Sequence, residues 1–392
     1  MNKADYNNSM RLESYDLATF ARKLYELNID EIDSITPKDF LTAERVIATG
    51  CGDSFCAAWA AQTAFEKLVG IPAFSAPAID VSRQFDGRDF DNTLFFGISS
   101  RGRTSRVIEA AMRVKALGAK SRTIAIVNFK VKDSQLERET DKSLHIRMPV
   151  FECGEYTEHA PCQRSYFSTM FTLMMIAIRM GNIRGRYNES RTERIREEVI
   201  KYAERFDRKF VDSVDDRMWE ISKIWNNYRQ WEVVASGIDY PTGWFGAAKV
   251  VEAFGDIATY ENIDNWNRVN RYAKNPEKIA TILFASTDNG RIEDAVETVE
   301  TMVRIGRPVI VITDAKEGLF NSSAEVFRIP TTELIWAKPL MQYMPLGNLL
   351  GYITKMRGVS FYRYGGDNNW YIKELQDKLG DAITEQPLVL VK

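Results

Sequence analysis

Four short apolar segments of this chain occur twice, in the same order and at nearly constant spacing. RVIATG at 45–50 is matched by EVVASG at 232–237, and TLFFGIS at 93–99 by TILFAS at 281–286. TIAIVN at 123–128 is matched by PVIVITD at 308–314, and LHIRMP at 144–149 by VFRIP at 326–330. The offset stays at about 180–190 residues throughout. Such regularity marks a tandem duplication of one structural unit. Each segment has the length and the Val, Ile and Phe content of a buried strand. Helical stretches lie between them: 55–69, closed by Gly70 and Pro72; 104–117, closed by Gly118; and the apolar 164–180. Strands alternating with helices build a parallel sheet covered on both faces. The expected fold class is α/β, with two doubly wound parallel sheets in tandem.

The 392 residues divide accordingly. Residues 1–36 form an N-terminal helical segment and 37–184 the first unit. Residues 185–228 form a charged linker, whose 185–210 part reads as a long surface helix, and 229–392 the second unit with a C-terminal tail. Hydrophobic content of 45% supports full-sized cores. A net charge of −2, with no basic run, argues against nucleic acid and against a membrane surface as partners. The apolar stretches are far short of a bilayer span, and the polar start MNKADYNNSMRLESYD lacks the apolar core of a signal peptide. A cytoplasmic protein is expected. Cys51, Cys56, Cys153 and Cys162 include no CxxC pair, which argues against zinc and for free thiols. Two histidines, His145 and His159, exclude a histidine-rich metal site. No metal and no cofactor is expected.

Two strand-to-helix turns carry the polar chemistry. The first follows VIATG: Cys51, Gly52, Asp53 and Ser54, then an alanine-rich helix. Glycines let a ligand approach backbone, and a helix N-terminus suits an anion. A plain turn, N-capped through Asp53 or Ser54, is the alternative. The second turn is SSRGRTS at 99–105. Ligands of parallel sheets bind at the carboxyl ends of strands, so the two turns are expected to face each other. Hydroxyls of Ser54, Ser99, Ser100 and Thr104 would then cradle a phosphate, with Arg101 or Arg103 adding a charge-assisted bond. A solvated turn is again the alternative. Neither the P-loop nor the dinucleotide pattern is present. In the second unit the matching loops, SGIDYPTGWFG and ASTDNGRIED, lose the serine cluster and gain Asp239, Asp288 and Glu293. Acidic groups repel phosphate, so one copy is expected to bind the anion and the other to supply something else.

GCGDS, GISSRGRTS and SQLERETD at 134–141 resemble the sugar isomerase (SIS) domain. The duplication resembles the isomerase half of glucosamine-6-phosphate synthase and the related fructosamine deglycases and aldose–ketose isomerases, over about residues 30–375. The resemblance implies a phosphosugar site and places its phosphate on Cys51, Gly52, Ser54, Ser99, Ser100, Arg101 and Thr104. The family usually has serine where Arg101 stands. The family base is a glutamate on the first helix of the second unit, which falls on Glu252 in GAAKVVEAFGD, with Lys249 one turn before it. A surface i, i+3 pair is the alternative reading of these two. The family's catalytic histidine lies shortly after that helix, but YENIDNWNRVNRY at 260–272 has none. His159, in ECGEYTEHAPCQ, is the candidate substitute, with Arg268 and Asp264 as further possibilities. The C-terminal EQPLVLVK matches the family's covering segment loosely. The apolar helix in 339–370 reads as core and dimer packing, and YRYGGDNNW as a segment that could cover the sugar.

The expected function is that of a phosphosugar aldose–ketose isomerase or a fructosamine-6-phosphate deglycase, with a small phosphosugar as partner. Two alternatives stand beside it. One is a non-catalytic phosphosugar sensor. The other is an amine-transferring enzyme that needs an ammonia-generating partner, since no nucleophile domain precedes residue 30. A homodimer is expected by resemblance, and family sites often form at the subunit contact.

Overall fold

The computed structural model describes all residues except Met1, 155–159, Arg291, 364–385 and Lys392. The chain divides into two compact units, each assembled from three stretches. Phe20–Pro149, Ser165–Ile200 and Glu374–Lys392 form the first-sheet unit. Met1–Thr19, Val150–Arg164 and Lys201–Lys373 form the second-sheet unit.

The first sheet contains β1 (Arg45–Gly50), β2 (Ala73–Pro77), β3 (Thr93–Ile98), β4 (Arg122–Asn128) and β5 (Lys142–Ile146), in the order β2-β1-β3-β4-β5. The second contains β6 (Gln230–Val234), β7 (Ala258–Glu261), β8 (Ile279–Ala285), β9 (Val309–Thr313) and β10 (Glu325–Arg328), in the order β10-β9-β8-β6-β7. Read from the other edge, this is the same order. Every pairing is parallel. The expected α/β fold class, with two doubly wound parallel sheets, is the one observed.

β3 and β8 are buried at every position, because helices cover both faces of a central parallel strand. The eight segments matched between the repeats are all strands. The two strands without a sequence signal, β2 (AFSAP) and β7 (ATYE), lie at or near a sheet edge and are partly exposed. With one face and one side open, neither needs an apolar run. Five alanines of the Asp53–Val69 helix, from Ala57 to Ala64, are buried, and their small side chains let the helix pack closely on the sheet. Ile47, Phe95, Val107, Ile108, Val114 and Leu136 build the core against the Ser105–Leu117 helix.

The charged stretch after residue 185 differs from the single surface helix expected. It forms two helices, Glu189–Glu204 and Arg208–Trp225. The break falls at Asp207, whose side chain accepts a hydrogen bond from the N–H of Phe210 and starts the second helix. That helix buries Val211, Val214, Met218, Trp219 and Trp225 against the Met344–Met356 helix. It also buries Asp215, which Arg11 binds through two bonds of 2.7 Å. The Tyr352 hydroxyl (2.9 Å), the Asn348 amide (2.8 Å) and the Lys3 ammonium (2.5 Å) complete its shell.

Residues 386–391 lie along the Ser105–Leu117 helix within the first-sheet unit. The Ser105 hydroxyl donates to the Gln386 carbonyl at 2.7 Å, and Arg113 to the Val391 carbonyl at 2.9 Å. The Val389 N–H donates to the buried Glu109 carboxylate at 2.7 Å, which Arg83 and Arg106 also bind. Among the described residues, no helix is long and apolar enough to cross a membrane.

Candidate functional site

β1 ends in Gly50, and the Asp53–Val69 helix begins after two intervening residues. A Cβ added at Gly50 would lie 2.6 Å from Ser54 Cβ and 2.8 Å from the Phe55 nitrogen. Only glycine lets the helix start this close to the strand end. Gly52 is the N-cap at φ +56°, where an added Cβ would meet nothing. Its glycine serves conformation rather than space. The N-cap is thus neither Asp53 nor Ser54, and it has no side chain with which to bond the first-turn N–H groups. Cys51 and Gly52 are exposed, and Ser54 is half-buried.

β3 pairs directly with β1, while the chain between them runs through β2 on the other side. The crevice between β1 and β3 is therefore the point where strand order reverses, the usual ligand position in open α/β sheets. Ser99 is buried at the end of β3, and its hydroxyl shares a 2.9 Å hydrogen bond with the Thr104 hydroxyl. Each hydroxyl has one proton and the bond uses one, so the pair retains a donor. Thr104 is the N-cap of the Ser105–Leu117 helix but makes no side-chain cap bond. Some helices elsewhere carry a side-chain cap, such as Ser134 on Gln135–Glu139 and Thr36 on Pro37–Thr42, and others, such as Tyr240–Phe254, do not. The two helices beginning at the reversal point also lack one. Ser100 and Arg101 are exposed. Replacing Gly50 by Ala is expected to push the first turn off the strand and cost about 1–3 kcal/mol. A thermal melt and phosphorus NMR with a sugar phosphate, read together, check that stability and anion binding fall together.

The equivalent crevice of the second sheet has its own anion. Asp239, fully buried after β6, accepts from the Ser286 N–H and hydroxyl, both at 2.7 Å. The Asn289 amide (2.9 Å) and the Gln342 amide also donate to it. Ser286 ends β8 as Ser99 ends β3, so a fixed carboxylate takes donors that the first crevice keeps. Burial pushes the Asp239 carboxyl above its ordinary pKa, against these four bonds. Beside it, buried Lys338 binds Asp288 at 2.7 Å and Asp314 at 2.6 Å. Glu293 is exposed at the start of the Ile292–Arg304 helix. Lys338 and Gln342 escape a sequence reading because they sit in an apolar run that reads as core.

Glu252 and Lys249 lie on the Tyr240–Phe254 helix. The Lys249 ammonium donates to Glu252 Oε2 at 2.5 Å and lies 4.6 Å from the Phe245 ring centroid. The i, i+3 pair exists, but it is not a surface pair: the Lys249 side chain is fully buried and that of Glu252 is 30% exposed. An ammonium taken out of water needs a counter-charge, and Glu252 provides one while keeping part of its carboxylate in solvent. In the 260–272 loop, the Trp266 indole donates to Glu232 at 2.6 Å and Asn270 donates to it at 2.5 Å. Buried Arg307 pairs with the same carboxylate. Arg268 and Asp264 are exposed and pair with each other at 3.3 Å. His159 and most of YRYGGDNNW lie outside the described residues. His145 bonds Glu137 at 2.7 Å. None of the four cysteines forms a disulfide, and among the described residues no cluster of His, Cys, Asp and Glu could hold a metal ion.

Comparison with known proteins agrees with this architecture. Residues 39–179 match the family described as SIS domain. Over 365 residues the chain is 22% identical to a glutamine–fructose-6-phosphate aminotransferase (isomerizing) of Thermococcus kodakarensis, covering 91% of this chain and 56% of that protein. It thus spans about half the length, or less, of the curated relatives it matches. The C-terminal domain of glucosamine-fructose-6-phosphate aminotransferase from Francisella tularensis superposes with a TM-score of 0.76 at 16% identity, covering 91% of this chain and 98% of that one. Tagatose-6-phosphate ketose/aldose isomerase from Escherichia coli gives 0.68 at 14%, covering 91% and 94%. The chain therefore carries a SIS domain at 39–179, and its two-sheet fold is shared with these solved structures.

Proposed function

We propose that this chain catalyses isomerisation or deglycation at C1–C2 of a phosphorylated sugar or amino-sugar. The observation that carries the reading is the difference between the two crevices. At the first, a hydroxyl pair with a proton to donate lies beside the starts of two helices. At the second, Asp239 already accepts the corresponding donors. Only the first suits an external phosphate. Its contacts would come from Cys51, Gly52, Ser54, Ser99, Ser100 and Thr104, with Arg101 adding charge.

Moving a carbonyl between C1 and C2 requires one group to take a proton from one carbon and return it to the next. Glu252 is the base in this reading, oriented by its bond to Lys249. Glu252 takes the proton from the carbon bearing the hydroxyl while the carbonyl oxygen gains one from solvent, which gives an enediol. The old hydroxyl then releases its proton to solvent as its oxygen becomes the carbonyl, and the same carbon-derived proton or a solvent proton arrives at the neighbouring carbon. The sugar is rearranged with no net oxidation, so the step needs neither a metal nor an organic cofactor. The names of the relatives, an aminotransferase and a ketose/aldose isomerase, support a phosphorylated hexose. A homodimer belongs to the same proposal.

The test is incubation in D2O with hexose 6-phosphates, hexosamine 6-phosphates and 6-phosphofructosyl amino acids, followed by proton and phosphorus NMR. Deuterium at C1 or C2, or a released amine, is the expected result and names the substrate class. Phosphorus shifts without exchange on any sugar would replace catalysis by binding alone.

A further inference from the structure

On the β4 side of the 99–105 loop, the first-sheet unit has a cavity of about 780 Å³. Arg101 and Arg103 line it from the loop after β3, and Lys130, Lys132 and Arg138 from the segment after β4. Among the described residues Asp133 is the one acid that lines it, and Arg138 binds that carboxylate at 3.0 Å. Among the described lining residues five cations stand against one acid, while the whole chain has 54 acidic residues against 52 basic ones. A concave wall of one sign focuses the field and concentrates counter-ions.

Three further features favour an anion there. The cavity lies at the carboxyl ends of two neighbouring parallel strands. Ser105, the first residue of a 13-residue helix, lines it, and that helix has no acid in its first turn. The Asp53–Val69 helix, by contrast, carries Asp53 at its start. Gln386 closes one side, held by the Ser105 hydroxyl at 2.7 Å. The volume suits a small molecule of nucleotide or sugar-bisphosphate size. Ser54, Ser99, Ser100 and Thr104 do not line it, so it is a neighbour of the crevice between β1 and β3 that shares with it only Arg101 and the start of the Ser105–Leu117 helix.

We propose that this cavity is a second anion site, which takes a small molecule carrying two or more phosphate groups. The crevice between β1 and β3 offers hydroxyls and N–H groups, a set matched to one phosphate. The cavity offers charge on long side chains, which suits a dense polyanion over a single dianion. This proposal does not depend on the isomerase reading.

The test is calorimetric titration of the full chain with pyrophosphate and with inorganic phosphate. The same titrations are run on the triple variant Lys130→Ala, Lys132→Ala, Arg138→Ala and on Ser99→Ala. The triple variant's positions are exposed, and an unchanged melting temperature checks that it folds. Pyrophosphate is expected to bind at least about tenfold tighter than phosphate, since each charge-assisted contact contributes roughly tenfold. The triple variant should lose about 30-fold or more in pyrophosphate affinity, while Ser99→Ala leaves it unchanged. If the triple variant binds pyrophosphate like the wild type, or Ser99→Ala abolishes that binding, the cavity is not the site. Failure of the sugar phosphates to bind anywhere would overturn the isomerase proposal and leave this result standing.

Discussion

Replacing Glu252 by Gln is expected to lower C1–C2 proton exchange by about 10²–10⁴-fold, the usual contribution of a positioned general base. The carboxamide has the shape of the carboxylate and can still accept the Lys249 hydrogen bond, but it cannot take a proton at neutral pH. Binding of the sugar phosphate should change little, because the phosphate contacts lie on other residues. The expected signature is thus a fall in turnover with phosphorus shifts on sugar binding retained. Some stability is lost as well, since buried Lys249 gives up a counter-charge. A melt separates that loss from the catalytic one. Glu252→Asp keeps a carboxylate on a shorter side chain and should restore part of the exchange. Wild-type exchange in the Gln variant would remove Glu252 from the mechanism.

Asp215→Ala should cost about 3–5 kcal/mol, because it leaves the Arg11 guanidinium buried without its bidentate partner. A drop in melting temperature on the order of 10 °C follows for units of this size. The pH dependence gives a second readout. Burial alone would push the Asp215 carboxyl up, but the hydrogen bonds and charges of Arg11 and Lys3 outweigh it and hold the carboxyl below the usual carboxylate range. A carboxyl whose pKa is depressed by folding adds stability above its unfolded value of about 3.9. That stability is lost as pH falls through the lower folded value. Asp314, held down against burial by Lys338 and Thr331, has the same sign. The stability gap between wild type and Asp215→Ala should therefore be full near neutrality and shrink below about pH 4. A gap independent of pH would mean that packing, rather than charge, makes Asp215 matter.

Much of the first crevice was legible because its signals are local. Gly50 and Gly52 mark a turn whatever surrounds them, and a serine cluster after a buried strand marks a polar sheet edge. The alternative of a plain turn puts N-capping on Asp53 or Ser54, and the structure does not bear that out. Capping depends on backbone geometry, and the cap falls on Gly52, which has no side chain to offer. The charged linker failed for another reason. Its composition reads as solvated, yet Asp215 is fully enclosed by partners more than 130 residues away in sequence. No periodicity announces such a group.

The basic cavity illustrates the intermediate case. Arg101 stands where the resembled family has serine and Arg103 is a candidate for a charge-assisted bond, whereas Lys130 and Lys132 carry no signal of their own and Arg138 lies within SQLERETD. Pairing of β3 with β4 sets the two loops side by side and turns two unremarkable segments into one field.

By itself the sequence determined eight of the ten described strands, the helices of the first unit that follow them and the polar turns. All of these depend on periodicity and turn chemistry within a few residues. Only the tertiary structure decided which charges are buried and what they pair with. Lys249 lies inside rather than on the surface, and Asp239 is held by Gln342 from 103 residues away. The physical reason is that burial and counter-charge are properties of the packed assembly. A short window specifies a strand or a turn, but the electrostatic role of a side chain is set by neighbours that folding brings together.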